Sequence, residues 1–370
     1  MRLDDSPDRP DPEGSGRVRL AAVGDLLLSG ELDERLSIDS VFAGVKSTFA
    51  TCDLLVGNLE CTLPGPRMVG VEPRVIAGKR LMQSVIKAQF DAVCMANNHT
   101  FDCYEEGFNQ AVETLDDGGI ARFGAGENIK QASSPAIIER NGLRIAFVAG
   151  ADARTGPHRL ATETAAGVNA LEVDRLADDI RRLRQTVHHV IVSLHWGQER
   201  LNVPSPQQIQ QAQTLVDAGA TMILGHHPHV ISGWQMHQGA GIIYSLGNFV
   251  ASDVRYSNGD CLRWNRRERT GCILLAELRS EGVREIRQVP TFDPGLRVRI
   301  DESNYARRCI EKANIELRKG ITARRYRRKH FWITTARPTI EHLAPNRLIH
   351  LRPRHFKNAL IRAMESARAG

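Results

Sequence analysis

The strongest constraint on the fold is a series of short apolar runs, each of which leads into polar residues. In chain order they are RLAAVGDLLL (19–28), CDLLVGNLE (52–60), FDAVCMANN (90–98), LRIAFVAG (143–150), HVIVSLHWG (189–197) and ATMILGHHP (220–228). Each run has the length of a buried β-strand and is much shorter than the roughly 20 residues that cross a membrane. The chain is therefore expected to build sheets from strands that end in functional loops.

Amphipathic stretches separate these runs and predict helices over 79–89, 105–117, 172–185 and 205–218. The last of these has clear boundaries, because Ser205 can cap it, Pro206 suits its first turn and Gly219 follows its end. Later segments without helical spacing predict strands of a second sheet or a hairpin, over 241–250, 271–278 and 283–290. Strands alternating with helices indicate an α/β protein whose sheets are covered on both faces.

Charge divides the chain into three parts. Residues 1–17 are acidic and proline-rich and lack an apolar core, which predicts a disordered leader rather than a secretory signal. Residues 297–370 carry 19 Lys and Arg against 6 Asp and Glu, and they predict a basic, partly helical tail that ends in a helix within 345–370. The domain between them, 18–296, is net acidic, which argues against nucleic acid as a partner.

The sequence leaves two interpretations of the tail open. It is either a solvated appendage or a surface for an anionic partner, such as membrane headgroups, RNA or a polyanionic polymer. Because no apolar run reaches spanning length, we expect a cytoplasmic protein that is peripheral to the membrane at most. The seven cysteines are scattered without a CxxC pair, which argues against a disulfide framework and a zinc ribbon.

Carboxylate, amide and imidazole side chains follow the predicted strand ends, where the functional sites of α/β proteins usually lie. They are Asp25, Asn58, Glu60, Asn97, Asn98, His99, Asp102, His195, His226, His227 and His229. Taken singly, Asp25 could cap a turn, Glu60 could lie on the surface and His195 could be a core histidine. Five strands nevertheless deliver such groups to one edge, which chance rarely produces. His188 and His189 begin a strand far from that edge and are expected to be structural.

Carboxylates, an amide oxygen and imidazoles together are ligands for divalent Mn, Fe or Zn. The set contains no thiolate, which disfavours a structural zinc site. It offers more donors than one ion needs, so it suits two ions that share a carboxylate. The HPH triplet that begins at His227 fits such a pair, because alternate residues of an extended turn can face neighbouring ions.

Six ordered motifs resemble those of the capsule-synthesis CapA family, also called the poly-γ-glutamate (PGA) capsule family. They are AAVGDLLL, GNLECTLP, FDAVCMANNHTFD, HVIVSLHWGQE, ILGHHPHV and IIYSLGNFV, and they lie within residues 18–250. That family is similar to the calcineurin-like metallophosphoesterases. The resemblance implies a four-layer α/β/β/α sandwich with a dinuclear metal centre on one edge.

The same resemblance implies a role for each residue of the set. Asp25 and His229 would bind a first ion, Asn98, His195 and His227 would bind a second, and Glu60 would bridge them. His99 would protonate the leaving oxygen or hold the phosphoryl group, and Asp102 would orient His99. Independently of the resemblance, Ser245 and Asn248 of the YSLGNFV segment offer hydrogen bonds, so they and Asn97 are expected to contact the substrate, although a purely structural turn is an equal interpretation of that segment.

Two positions depart from the superfamily pattern. The first motif is normally Asp-x-His, whereas Asp25 is followed by Leu26 and Leu27. The bridging position is Glu60 instead of aspartate. The first ion therefore lacks one ligand, which Asn58, His226 or water would have to replace, and a single retained ion is an alternative.

Two functions from different classes follow. The first is a metal-dependent hydrolase of capsule or exopolymer metabolism, most simply a phosphoesterase that uses metal-activated water and His99. The alternative is a non-catalytic accessory subunit of a polyanion synthesis or export complex. The expected partners are a phosphoester or anionic polymer substrate, and a membrane surface or polyanion for the basic tail.

Overall fold

The computed structural model describes residues 16–339, so most of the predicted leader and the predicted helix within 345–370 lie outside the described residues. In chain order the strands are β1 Arg17–Leu27, β2 Leu54–Asn58, β3 Ala92–Cys94, β4 Ala121–Phe123, β5 Ala125–Gly126, β6 Ala136–Arg140, β7 Leu143–Ala151, β8 Gly167–Val168, β9 His189–His195, β10 Met222–His226, β11 Trp234–His237, β12 Ala240–Ile243, β13 Asn248–Ala251, β14 Val254–Arg255, β15 Cys261–Leu262, β16 Thr270–Arg279, β17 Gly282–Phe292 and β18 Arg299–Ile300. The helices are α1 Lys46–Phe49, α2 Lys79–Lys87, α3 Tyr104–Asp117, α4 Ile129–Ala132, α5 Val173–Leu183, α6 Pro206–Asp217, α7 Tyr305–Arg318 and α8 Ala323–Phe331.

Two main sheets organise the described chain. The first has the strand order β18-β17-β16-β1-β2-β3-β4, and β13 also pairs with β1. The second has the order β11-β12-β10-β9-β7-β6. Strand β1 is parallel to β2 and β13, and β9 is parallel to both β7 and β10. The carboxyl ends of these central strands therefore lie at one edge of each sheet.

Alternating side chains show how the layers stack. Ile145 and Phe147 of β7 belong to a core that also contains Val23 of β1, so this face of the second sheet packs on the first sheet. Ala146 and Val148, which point the other way, pack with residues of α5 and α6. This alternation is the period of two expected of a strand buried on both faces.

A second helical layer covers the first sheet. Helix α2 contributes Leu81 and Val85 to the same hydrophobic core as the strands of the first sheet, and α3 contributes Phe108 and Leu115. Helix α3 contacts both α2 and β4. The order of layers is therefore helix, sheet, sheet, helix, which confirms the α/β sandwich expected from the sequence.

The predicted element boundaries are close to the observed ones, with one correction. Helix α6 begins with a capping box between Ser205 and Gln208, and Pro206 occupies its first turn. The segments over 271–278 and 283–290 form the hairpin β16–β17 at the edge of the first sheet. The prediction of one strand over 241–250 is wrong, because β12 joins the second sheet and β13 joins the first.

The described part of the basic tail packs on the domain. Ala306, Ile310, Ala313 and Leu317 form the buried face of α7, and the helix contacts β11, β16 and β17. Helix α8 continues into a π-helical turn, Trp332–Ala336. Within residues 16–339 the structure contains no helix that combines the length and the apolarity needed to span a lipid bilayer.

Candidate metal centre

The two sheets bring their strand ends together at one site. In the first sheet Asp25 of β1 stands opposite Asn58 of β2, and in the second sheet His195 of β9 stands opposite His226 of β10. All four side chains are buried. Because the sheets pack face to face, carboxylate and amide groups from one meet imidazoles from the other.

Residues 244–248 cross from the second sheet to the first next to this site. Leu246 donates its backbone N–H to the Gly225 carbonyl of the second sheet, and Gly247 accepts from the Asp25 N–H of the first. This approach requires glycine on both sides. A Cβ on Gly24 would lie 1.8 Å from the Gly247 oxygen, and one on Gly225 would lie 2.1 Å from the Tyr244 oxygen.

Five predicted ligands form two groups that could each hold a metal ion. One group is Asp25, Glu60 and His195, and the other is Glu60, His227 and His229. Within each group the ligand atoms lie within 4.8 Å of one another. Glu60 belongs to both groups, which is the position that a bridging carboxylate would take. The grouping places His195 with Asp25 and His229 with His227, whereas the resemblance implies the opposite pairing of the histidines.

The sixth predicted ligand, Asn98, lies beside the first group. Its Oδ1 is 2.7 Å from His195 Nε2, and Glu60 Oε1 is 3.7 Å from that same nitrogen. Asn58 and His226, proposed above as replacements for the missing histidine, both contact Asp25 instead. Asn58 Nδ2 donates to Asp25 Oδ1 over 2.9 Å, and His226 Nδ1 lies 3.0 Å from the same oxygen.

The loop after β10 holds its histidines in an unusual backbone conformation. His227 has φ = 90° and His229 has φ = 55°, a region that residues with a side chain rarely adopt. His229 Nδ1 lies 2.9 Å from Asn248 Oδ1, and its ring lies 5.1 Å from that of Trp264. Such strain persists only where surrounding contacts impose it, and it is characteristic of functional loops.

Burial and charge move the pKa values of these groups in opposite directions. Burial and the charge of Asp25 raise the pKa of Glu60 well above its ordinary value. Burial lowers the pKa of His227 to about 4. Burial alone would lower the pKa of His229, but the charges of Glu60 and Asp25 raise it to about 10. Carboxylates and imidazoles crowded in this way compete for protons, a pattern that marks functional sites.

The residues present fit a divalent cation. Glu60 Oε1 and His227 Nδ1 are both buried and make no hydrogen bond to any described atom. Leaving such atoms without a partner costs free energy, because water that would bind them is excluded. A cation bound to Glu60 and His227 would satisfy both, and the mixture of carboxylate and imidazole donors suits Mn, Fe or Zn.

A second cluster lies next to the candidate ligands. His99 Nδ1 is 2.8 Å from Asp102 Oδ2, which also accepts the Val75 N–H over 2.7 Å. The other oxygen, Asp102 Oδ1, is 3.3 Å from His158 Nε2. Burial alone would raise the pKa of Asp102, but the charge of His99 and the bond to His158 lower it below its usual value. The carboxylate thus stays ionised between two imidazoles.

The three predicted substrate contacts are buried and bonded to protein atoms. Asn97 Nδ2 donates to Leu59 O over 2.9 Å, Ser245 Oγ donates to Val230 O over 2.9 Å, and Asn248 Nδ2 donates to Glu268 O over 3.0 Å. In the structure these side chains hold the loops that carry the candidate ligands. A direct contact with substrate stays a prediction for all three.

Sequence reasoning missed three residues at the site. His158 and Trp264 lie outside the motifs, so nothing in their local sequence pointed to the site. Glu199 follows His195 within the quoted HVIVSLHWGQE motif and could have been found there. Glu199 is solvent-exposed; desolvation by neighbouring protein atoms would raise its pKa, but the electrostatic interactions with His229 and His227 lower it.

Two packed sheets between helical layers, with buried histidines and carboxylates at one edge, define an α/β sandwich protein with a candidate metal centre. Residues 19–253 match the model of the family described as "Bacterial capsule synthesis protein PGA_cap". The chain belongs to this capsule-synthesis family. The predicted family is thereby confirmed, whereas the roles of the individual site residues are not tested by the match.

Curated relatives agree with the family. The chain is 30% identical over 253 residues to the capsule biosynthesis protein CapA of Bacillus anthracis, covering 63% of this chain and 60% of that one. It is 29% identical over 235 residues to the PGA biosynthesis protein CapA of Bacillus subtilis, covering 62% of each. A probable polyglutamine synthesis accessory protein of Mycobacterium tuberculosis is 28% identical over 170 residues, covering 43% of this chain and 44% of that one. The chain thus spans about three fifths of the length of the first two relatives.

Two solved structures align with most of this chain. A phosphatase from Mycoplasma pneumoniae aligns with a TM-score of 0.49 at 15% identity, covering 75% of this chain and 95% of that one. The calcineurin-like phosphoesterase YfkN from Bacillus subtilis aligns with a TM-score of 0.44 at 11% identity, covering 82% and 99%.

Proposed function

We propose that the chain is a metal-dependent hydrolase, most simply a phosphoesterase, that acts in capsule or exopolymer biosynthesis on the cytoplasmic side. The observation that carries this proposal is Glu60, which belongs to both groups of candidate ligands and whose buried Oε1 makes no hydrogen bond within the described residues. A carboxylate at this position is what a pair of divalent ions requires. The substrate would be a phosphoester or an anionic polymer.

Divalent ions held by these residues would neutralise the substrate's negative charge and lower the pKa of a bound water towards about 7. Asp25 and His195 would hold one side of the centre, His227 and His229 would hold the other, and Asn98 would add its amide oxygen. The buried setting strengthens every such electrostatic contact, since little water remains to screen it.

His99 would handle the proton of the leaving group. Asp102 accepts a hydrogen bond from His99 Nδ1, which fixes the orientation of the ring and leaves Nε2 to hold or release a proton. Because the pKa of Asp102 is lowered, its carboxylate remains charged beside the His99 ring. An imidazole placed in this way contributes about a hundredfold to ten-thousandfold as a general acid.

A metal titration combined with a phosphoester screen tests this function. Purified protein is freed of metal with a chelator, reloaded with Mn, Fe or Zn, and assayed on p-nitrophenyl phosphate and bis-p-nitrophenyl phosphate. We expect two equivalents of metal by elemental analysis, together with turnover that His99→Ala removes without loss of metal. Full loading with no turnover on any phosphoester would contradict the hydrolase.

One observation favours the accessory subunit as a second candidate. Both oxygens of Asp25 are already engaged, because Oδ1 contacts Asn58 and His226 while Oδ2 accepts the His227 N–H over 3.2 Å. Leu27 occupies the position where the superfamily motif has a histidine. One equivalent of metal without turnover, together with copurification of a polymer synthesis complex, would support this candidate.

A further inference from the structure

Helix α8 and the residues before it form the most basic stretch of the described chain. Residues 317–332 contain seven Lys and Arg and no Asp or Glu. This stretch lies outside the part of the chain that matches the family model, residues 19–253. The chemistry of the metal centre therefore leaves it unexplained.

The packing of α8 fixes which of its faces is turned outward. Lys329 forms an ion pair with Glu316 of α7, and His330 Nε2 lies 3.2 Å from Gln198 Oε1. Tyr326 lies against the His330 ring on the same half-buried side. Residues one helical turn apart share a face, so positions 326, 329 and 330 attach α8 to the domain.

The opposite face carries cations without acidic partners. Arg324 and Arg328 are exposed, and neither forms an ion pair or a side-chain hydrogen bond within residues 16–339. They lie four residues apart, and Phe331 continues the same stripe three residues later. The outward stripe of α8 is thus composed of cations followed by an aromatic ring.

Two consecutive aromatic side chains end this stripe in contact with solvent. Phe331 is 51% exposed and Trp332 is 52% exposed, whereas Trp196 and Trp264 are buried. Large apolar groups beside arginines on a convex helical surface suit the interface of an anionic bilayer, where cations meet headgroups and rings enter the acyl boundary. A soluble polycarboxylate would satisfy the arginines and leave both rings in water.

We propose that this stripe, made of Arg324, Arg328, Phe331 and Trp332, binds the surface of an anionic membrane. His330 contacts Gln198, which lies three residues after the candidate ligand His195, so the bound helix would hold the metal-centre edge close to the lipid surface. A substrate carried by the membrane could then reach the site. The stripe can bind lipid whether or not the metal centre is catalytic.

Vesicle sedimentation tests the proposal on the full chain. We expect binding to vesicles of phosphatidylcholine with about one third phosphatidylserine, weak binding to pure phosphatidylcholine, and release at about 0.5 M NaCl. Each basic residue near such a surface contributes about fivefold, so Arg324→Gln with Arg328→Gln should weaken partitioning about 25-fold. A change of less than threefold would overturn the proposal.

The matched control removes two lysines at the far end of the strands. Lys46→Gln with Lys87→Gln makes the same change in net charge, and both lysines are exposed without an acidic partner within residues 16–339. We expect this control to bind vesicles as the parent does. Equal weakening by both double variants would show a dependence on net charge alone and would overturn the assignment to α8. Circular dichroism checks that every variant is folded.

Tryptophan fluorescence distinguishes a membrane from a soluble polyanion. Trp332 is the most exposed of the four tryptophans, so insertion should shift the emission of the chain to shorter wavelength, and Trp332→Phe should abolish the shift while binding remains. Tight binding to soluble poly-glutamate or RNA without a shift on vesicles would overturn the proposal in favour of a polymer. Binding to neither would overturn it as well.

Discussion

Strand β9 begins and ends with a buried histidine, but the two ends differ in what surrounds them. His189 at the start forms no ion pair within residues 16–339, and burial lowers its pKa to about 4. His195 at the end lies 2.7 Å from Asn98 Oδ1 and 3.7 Å from Glu60 Oε1. Burial also lowers its pKa well below the ordinary value, and the electrostatic interaction with the neighbouring His227 lowers it further.

The difference shows that burial alone does not make a histidine functional. Burial of each ring costs free energy, because the ring loses its contact with water. Only at the carboxyl-terminal edge do oxygen and nitrogen donors from both sheets lie close together. The opposite edge carries a cavity of about 340 Å³ lined by side chains that include Phe42, Phe49 and Arg140, without a histidine. Position along the strand, rather than residue type, thus separates structural from candidate functional histidines.

The largest expected effect comes from removing the shared carboxylate. Glu60→Gln keeps the size of the side chain but removes the charge that both candidate groups use, so metal content should fall to less than half. Turnover should drop about a thousandfold, since bound metal supplies several kcal/mol of transition-state stabilisation. Elemental analysis and phosphoester hydrolysis measure both quantities.

The control for this variant is Glu139→Gln, an exposed carboxylate on β6 that lies outside the site. It should leave metal content and turnover unchanged. If Glu60→Gln retained the metal content of the parent, the shared-ligand arrangement would be wrong.

Changing each histidine of β9 to phenylalanine tests whether the two ends of the strand differ in metal binding. His195→Phe should lower metal affinity by more than about a hundredfold, because it deletes a ligand and leaves Asn98 and Glu60 without their partner. His189→Phe should change the affinity less than twofold. Isothermal titration with Mn²⁺ measures both, and equal losses would show that the two histidines act only through the stability of the strand.

Asp102→Asn should reduce the turnover number about 10- to 100-fold while leaving metal content intact. Asparagine can still accept the Val75 N–H, but it cannot supply the negative charge that Asp102 places 2.8 Å from His99 Nδ1. Steady-state kinetics with elemental analysis of the same sample separates this effect from the loss of a ligand. A fall in metal content equal to that of Glu60→Gln would place Asp102 among the ligands instead.

The smallest expected effect is the acid sensitivity that His189 contributes. Its folded pKa of about 4 lies below the unfolded value of about 6.5, so its contribution is fully present above pH 6.5 and is lost as the pH falls towards 4. Between pH 7 and pH 5 this histidine should cost about 2 kcal/mol of unfolding free energy. Urea unfolding measures the free energy of unfolding at pH 7 and at pH 5. The decrease between the two pH values should be about 2 kcal/mol smaller in His189→Phe than in the parent protein. An equal decrease in the two proteins would contradict the assignment.

Most strands and helices could be predicted, because they depend on local sequence patterns. Apolar runs with the length of strands, amphipathic spacing and the cap at Ser205 depend on neighbours within a few residues. The candidate ligands were also visible, since each follows directly after such a run and belongs to a family motif.

Other features could not be predicted because they depend on contacts between distant segments. The segment 244–248 reads as the continuation of a strand, but it crosses from one sheet to the other, and Gly24 and Gly225 make room for it. The engagement of Asp25 by His226 joins residues 201 positions apart. The orientation of α8 could not be predicted from the sequence either, because it depends on the contact between His330 and Gln198, which are 132 positions apart.

The sequence by itself determined the family, the alternation of strands and helices, and the kinds of donor atoms at the strand ends, because these are properties of short segments. Only the tertiary structure decided which donors share Glu60, which polar residues hold loops instead of facing a substrate, and which face of the basic helix meets solvent. Those outcomes depend on distances between segments far apart in the chain, which packing of the two sheets sets and no local pattern encodes.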